Sequence, residues 1–138
     1  MELSDSLLKA YRETHYHVYA KPPFYMVPGS SSPELFELHR ENNIESSAFL
    51  TAWNPFSEQA SDTENTERNK ALRKVISESG LDCIPGLGEH PAGCWQGEES
   101  FLVLGIDYDT ACAIGRRFNQ YALLFAGTEA IAEIVALT

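Results

Sequence analysis

The sequence predicts one α+β domain, spanning residues 1–138, with three to four helices packed on a mostly antiparallel sheet of about five or six strands. The length of 138 residues fits a single core, and no repeat, charge block or long linker divides the chain. Strand-like segments follow one another with short turns between them, which favours antiparallel neighbours. Helix-like segments separate the remaining strands. The predicted order is α β α β α β β α β β.

The first elements are two helices separated by a strand and a loop. An acidic amphipathic segment, MELSDSLLKAYRE, precedes the short strand HYHVYA. Residues 21–34 are rich in proline, glycine and serine, so they predict a long loop or lid without a regular element. Ser32 followed by Pro33 predicts the start of the second helix. The side chains expected to face inward from this helix are Leu35, Phe36 and Leu38.

An interior strand and the longest helix come next. In SSAFLTAWNP both alternating sets of side chains are largely apolar, which indicates a strand inside the sheet that ends at Pro55. Ser61 and Glu64 have the spacing of a capping box and predict the start of a long helix. Gly80 is expected to end it.

The last part of the chain predicts strands around one helix. LDCIPGLGEHP is interrupted by glycines and predicts an irregular strand. Asp107 or Asp109 is expected to cap a helix. Residues 129–137 fit a helix or a strand, and the preceding turn favours a closing strand. Regular strands are predicted in EESFLVLGI and QYALLFAG.

Charge and composition narrow the classes of function. The chain has 20 acidic and 10 basic side chains, a formal net charge of −10, which argues against non-specific binding of nucleic acid or of an anionic membrane. Its apolar runs are too short to span a bilayer, and its first residues do not resemble a secretory signal. The three cysteines are odd in number and include no CxxC pair, so no disulfide framework is expected. These features predict a cytoplasmic protein.

The long helix carries polar residues on the face that should meet the sheet. Asn65, Arg68 and Asn69 share this face because positions three and four apart are neighbours on a helix. The face continues with Leu72 and Ile76. Two interpretations stay open. The polar groups bind a ligand or hold a carboxylate, or they satisfy buried backbone groups and pair with an acidic residue of a strand.

Two adjacent carboxylates open the strand EESFLVLGI. Glu98 and Glu99 should point to opposite faces, so they cannot act together as an acid–base pair on one substrate. Glu99 is the favoured candidate, because Arg68 is expected to lie across from it. An alternative function is therefore a hydrolase or transferase, with Glu99 as general base and Arg68 stabilising developing negative charge.

The sequence has no complete motif for a metal, a phosphate or an activated nucleophile. His15 and His17 share one face of a strand, but no third ligand has convincing spacing. The glycines of PGLGEHPAG open no helix, which does not fit a phosphate-binding loop. The sequence contains no GxSxG or HExxH motif. No cofactor and no metal site is predicted.

Four short blocks resemble a known family. They are TAWNPFS, NTERNKAL, GLGEHPAGCWQGEESFLVLGI and RFNQYALLF. In this order they are similar to the bacterial family called domain of unknown function 3293, over about Leu50 to Phe125. The resemblance implies a small cytoplasmic bacterial domain without an established biochemical role.

The residues that carry the resemblance are mainly polar and lie at predicted strand ends and helix starts. We expect them to meet in one polar cluster, roofed by Trp53 or Trp95. The candidate binding residues are Asn54, Asn65, Arg68, Asn69, Trp95, Glu99 and Gln120. The predicted function is non-catalytic or regulatory binding of a small polar ligand or a protein partner through this cluster. The oligomeric state is left open.

Overall fold

The computed structural model describes residues 3–93 and 96–137. Within them, four α-helices are present: α1 (Asp5–Glu13), α2 (Pro33–Glu41), α3 (Asp62–Glu78) and α4 (Tyr108–Arg117). The seven strands are β1 (His15–Val18), β2 (Phe24–Met26), β3 (Ser47–Leu50), β4 (Asp82–Glu89), β5 (Glu98–Leu104), β6 (Ala122–Ala126) and β7 (Ala132–Ala136). A short 3-10 turn, Pro55–Ser57, follows β3.

All strands belong to one antiparallel sheet with the order β2-β1-β4-β5-β3-β6-β7. The predicted α+β fold is confirmed, with one strand more than expected. The additional strand is β2, within the segment predicted to lack regular structure. That prediction was wrong because β2 is an edge strand of three residues, which needs a partner on one side only. The prolines lie before and after it.

Strand β4 is also more regular than its sequence suggested. It is continuous over Asp82–Glu89 and pairs with β1 on one side and β5 on the other. A side-chain carbon at Gly86 would lie 2.3 Å from the backbone oxygen of His17 and 2.9 Å from the Phe49 ring. The glycine therefore permits close packing inside the strand and does not interrupt it.

The predicted helix starts are confirmed by their caps. The side chain of each cap residue accepts a hydrogen bond from the backbone N–H three residues later; these cap residues are Ser32, Ser61 and Asp107. The inward orientation expected of Phe36 was wrong, since 52% of this residue is exposed, whereas Leu35 is fully buried. The last segment forms β7 and pairs with β6, as favoured.

The sheet has a hydrophobic core on each face. On the first, the α3/α4 face, Ala48 and Leu50 of β3 pack with side chains of α3 and α4. On the second, the α1/α2 face, Phe49 packs with Leu35 of α2. This arrangement confirms that β3 is an interior strand with both faces apolar. None of the helices in the described residues is long and apolar enough to cross a membrane.

Candidate functional site

The first turns of α3 bind the chain where it leaves β3. The Asn69 side chain accepts a hydrogen bond from the backbone N–H of Ala52 at 2.8 Å and donates one to the backbone oxygen of Glu99 at 2.8 Å. Asn65 accepts from the backbone N–H of Asn54 at 2.8 Å. Asn65 and Asn69 are 1% and 6% exposed. The two amides therefore satisfy backbone groups that the sheet no longer pairs.

Arg68 completes this arrangement by bonding backbone oxygens. Its Nε donates to the backbone oxygen of Ala52 at 2.8 Å, and its Nη2 donates to that of Phe118 at 2.5 Å. Phe118 caps the C-terminus of α4, where helix carbonyls lack partners within the helix. Gln120 Nε2 donates to the backbone oxygens of Trp53 and Phe118 at 3.3 and 3.2 Å. We call Asn65, Arg68, Asn69 and Gln120 the polar clasp.

The expected pair between Arg68 and Glu99 was wrong. Within the described residues, the guanidinium bonds backbone oxygens, and Glu99 joins the clasp through its own backbone oxygen. The Glu99 residue is exposed. The physical reason is that two carbonyls at the ends of β3 and α4 lie within reach of Arg68 and need hydrogen-bond donors. The basis for Glu99 as a base beside Arg68 is removed.

Asn54 connects the clasp to a second region. It has a left-handed backbone conformation, φ 45°, which asparagine tolerates better than most residues. Its Oδ1 accepts hydrogen bonds from Asn65 Nδ2 at 2.8 Å and from the backbone N–H of Ala60 at 3.0 Å. Its Nδ2 donates to Glu98 Oε2 at 3.1 Å. The predicted convergence thus holds for Asn54 and the four clasp residues, whereas Trp95 lies outside the described residues.

A cavity of about 490 Å³ lies on the α1/α2 face, between α1, the sheet and the segment 54–62. Side chains of β1, β3, β5, β6 and β7 form its floor. Its largely apolar walls include Leu7, Ala10, Phe49, Trp53 and Leu124. Glu98, Asn54, Ser57 and Thr51 contribute polar groups.

Glu98 is the carboxylate that lines this cavity. Partial burial raises the pKa of the Glu98 carboxyl to about 7, and the hydrogen bond from Asn54 opposes this rise. The carboxyl is consequently divided between its protonated and ionised forms near neutral pH. The alternation of side chains correctly placed Glu98 and Glu99 on opposite faces; of the two, Glu98 lines the cavity and Glu99 is exposed. The signal that points to Glu98 is the amphipathic α1, which covers the face on which it lies.

Two tyrosines hold α1 against the cavity. The Tyr11 hydroxyl lies 2.9 Å from Ser57 Oγ, and the Tyr16 hydroxyl donates to the backbone oxygen of Tyr11 at 2.8 Å. Burial raises the pKa of both phenols. Both are therefore neutral at physiological pH and can serve as hydrogen-bond donors or acceptors.

The remaining chemical groups lie away from this cavity. His15 stacks on Tyr25 with ring centroids 4.3 Å apart, and His17 lies 3.8 Å from Glu89. His39 Nε2 lies 2.7 Å from Ser47 Oγ, and both residues are buried. In the described part of the chain, no three His, Cys, Asp or Glu side chains are grouped to hold a metal ion.

Together these features define an antiparallel α+β protein with a polar clasp on one face of the sheet and a carboxyl-bearing cavity on the other. The chain belongs to the family described as protein of unknown function (DUF3293), whose model matches residues 50–123, or 74 of the 138 residues. The suspected family is confirmed. The matched range includes the clasp and Glu98 but not α1. Searches of curated proteins and of solved structures found no match.

Proposed function

We propose that this protein binds a small organic molecule in the cavity between α1 and the sheet. The observation that supports this proposal is the combination of a cavity of about 490 Å³ with a polar end formed by Glu98 and Asn54. Ligand sites are usually concave, largely apolar and supplied with a few converging polar groups, with volumes of roughly 300 to 1,000 Å³. The proposed ligand therefore has an apolar body and one polar group.

This proposal changes the ligand expected from the sequence. The side chains of Asn65, Arg68 and Asn69 are engaged with backbone groups, so we assign them to holding the cavity wall. Of the predicted binding residues, Asn54 and Asn65 line the cavity. We assign Asn54 to ligand contact, together with Glu98, because the Asn65 amide is already bonded to Asn54 through both its oxygen and its nitrogen. A protein partner stays a prediction.

The experiment is a ligand-observed NMR screen of a fragment library against three proteins. The first is the wild type, and the second carries Ala10→Phe, which places a ring in the cavity. The third carries Ala71→Phe on the exposed side of α3 as a matched control. We expect shared hits for the wild type and the control that Ala10→Phe abolishes.

Two results would contradict this function: no hits for the wild type, or hits that persist with Ala10→Phe. Circular dichroism establishes that each variant is folded. Ala122→Phe, which also fills the cavity but from β6, separates loss of the cavity from disturbance of α1.

A second candidate function is proton transfer by Glu98. A carboxyl whose pKa is about 7 is suited to act as a general acid or base at neutral pH. This idea replaces Glu99 as the candidate base. Incubation of a cavity ligand with the protein, followed by mass spectrometry, tests it: turnover that Glu98→Gln abolishes supports catalysis, and an unchanged ligand supports binding alone.

We place this activity in the cytoplasm, without nucleic acid or membrane as a partner. The formal net charge of −10 supports the second part, because it repels phosphate groups. Among the described cysteines, Cys83 and Cys112 are free thiols, which are typical of reducing compartments. Cys94 lies outside the described residues. Fractionation of cells that produce the protein tests the location.

A further inference from the structure

We infer that the cavity takes an organic cation, a protonated amine or an alkylammonium group on an apolar body, with its positive charge beside Glu98. The inference rests on the proposed binding function and names the chemical class of the ligand. It depends on three features of the cavity: the sign of its charges, its aromatic side chains and the position of its carboxyl group.

The charged residues of the cavity have one sign. Among the described residues that line it, Glu98 and Asp62 are the ones with carboxyl groups, and no lysine, arginine or histidine is present. An anionic ligand would therefore lose its hydration without meeting a cation. The protein's formal charge of −10 also attracts cations from a distance.

Aromatic residues contribute to the cavity wall. Tyr11, Tyr16, Phe49 and Trp53 line the same cavity, and Tyr16 meets Phe49 edge to face with centroids 5.3 Å apart. The face of an aromatic ring carries partial negative charge and attracts ammonium groups, most strongly where water is excluded. Aromatic side chains around a carboxylate are thus suited to an organic cation, while the apolar walls suit its carbon body.

A positively charged group of the ligand would stabilise the Glu98 carboxylate. Within the described residues, Asn54 donates the one hydrogen bond to its carboxylate, at 3.1 Å, and an amide supplies no opposing charge. The titratable groups near it are the Tyr11 phenol from α1, the Tyr16 phenol from β1 and Asp62 at the start of α3. A bound cation favours the ionised carboxylate, so binding should release a proton from Glu98 and weaken as the pH falls.

The experiment is isothermal titration calorimetry with matched probes. Each set holds an amine, an alcohol and a carboxylate on the same body: 4-phenylbutylamine, 4-phenylbutanol and 4-phenylbutyrate, and the corresponding cyclohexyl and n-hexyl compounds. At pH 8.5 these amines are still protonated. We expect the amine to bind at least about tenfold more tightly than the alcohol of its set, and the carboxylate to bind least.

Two variants and a second pH test whether Glu98 causes the preference for the amine. The amine affinity of the wild type should be about eightfold lower at pH 5.5 than at pH 8.5 if the protonated carboxyl binds the amine tenfold more weakly, and up to roughly 30-fold lower if it does not bind the amine, as expected for a carboxyl with a pKa near 7. Glu98→Gln should lose both the preference for the amine and this pH dependence. Glu99→Gln, which removes the adjacent exposed carboxylate, should keep both.

Each outcome decides between the two proposals. If the alcohol or carboxylate binds as tightly as the amine, the cation inference is overturned and the binding function stands. If fragments bind in the cavity but no amine does, the inference is overturned in the same way. If neither fragments nor probes bind, the proposed function itself fails. Should Glu98→Gln not fold, the wild-type comparison of probes and of pH still decides.

Discussion

On the α3/α4 face of the sheet, the polar side chains at the end of β3 bond backbone groups, whereas on the α1/α2 face Glu98 lies beside a cavity of about 490 Å³. Both regions meet at Asn54, whose side chain contacts Asn65 on one side and Glu98 on the other. The segment around Asn54 therefore borders both the polar clasp and the cavity.

The adjacent residues Glu98 and Glu99 show what this difference teaches. They have the same chemistry and open the same strand, but Glu99 is exposed, whereas α1 covers the face on which Glu98 lies. The covering element lies more than eighty positions earlier in the chain. The environment of a carboxyl group is therefore set by packing against segments distant in the chain and not by its sequence neighbours.

The largest expected effect is on the clasp. Asn69→Ala removes the partner of the buried Ala52 backbone N–H and one of two side-chain donors to the Glu99 carbonyl, so the free energy of unfolding should fall by roughly 2 to 4 kcal/mol. Urea denaturation measures it. Lys70→Ala is the control on the exposed side of α3, where a change below about 0.5 kcal/mol is expected.

The same variant sharpens the contrast between the faces. Because Asn69 does not line the cavity in the described structure, folded Asn69→Ala protein should bind any cavity ligand with wild-type affinity. A stable Asn69→Ala variant that has lost binding would show that the clasp residues are themselves the binding site.

The next effect concerns the pH dependence of stability. The folded pKa of Glu98, about 7, lies above its ordinary value of 4.5, so its contribution to stability is complete below pH 4.5 and is lost as the pH rises through 7. Glutamine resembles the protonated form and does not ionise. At pH 8, Glu98→Gln should therefore be more stable than the wild type by roughly 2 to 3 kcal/mol.

The comparison across pH separates the effect of Glu98 on stability from that of His39. Burial lowers the pKa of His39, so its effect has the opposite sign and reduces stability as the pH falls below 6.5. His39 is common to both proteins and cancels in their difference. Glu99→Gln serves as the control, and equal pH profiles for the wild type and Glu98→Gln would place the Glu98 carboxyl in water.

The smallest effect tests how α1 closes the cavity. Tyr11→Phe removes the hydroxyl that lies 2.9 Å from Ser57 Oγ. We expect the free energy of local opening of α1 to fall by about 0.5 to 1 kcal/mol. Faster amide hydrogen exchange confined to α1 is the measurement. Tyr19→Phe, at an exposed tyrosine elsewhere, is the control. Unchanged exchange in α1 would show that this contact does not hold the helix.

Local signals in the sequence were sufficient for much of the fold. The caps at Ser32, Ser61 and Asp107 depend on contacts three residues apart, and the interior position of β3 follows from its two apolar faces. The convergence of polar residues near Asn54 was also predictable, because helix starts and strand ends meet at one edge.

Contacts between distant segments account for what was missed. Strand β2 depends on pairing with β1, and the regularity of β4 depends on the close approach of Gly86 to its neighbours. The partners of Arg68 are backbone carbonyls. Every residue has a backbone carbonyl, so the residue types do not indicate which ones Arg68 bonds. The cavity requires the placement of α1 across the sheet, so its volume and the environment of Glu98 could not be read from spacing.

The most direct test of the division between the two faces is a ¹H–¹⁵N NMR titration with 4-phenylbutylamine at pH 8.5. The account predicts that the backbone amides that shift most are those of Tyr11, Asn54, Glu98 and Ser100, all in residues that line the cavity. The amides of α4, on the opposite face, should be unchanged. Shifts concentrated on α4 and on α3 beyond its first turn, or no shifts at millimolar ligand, would contradict it.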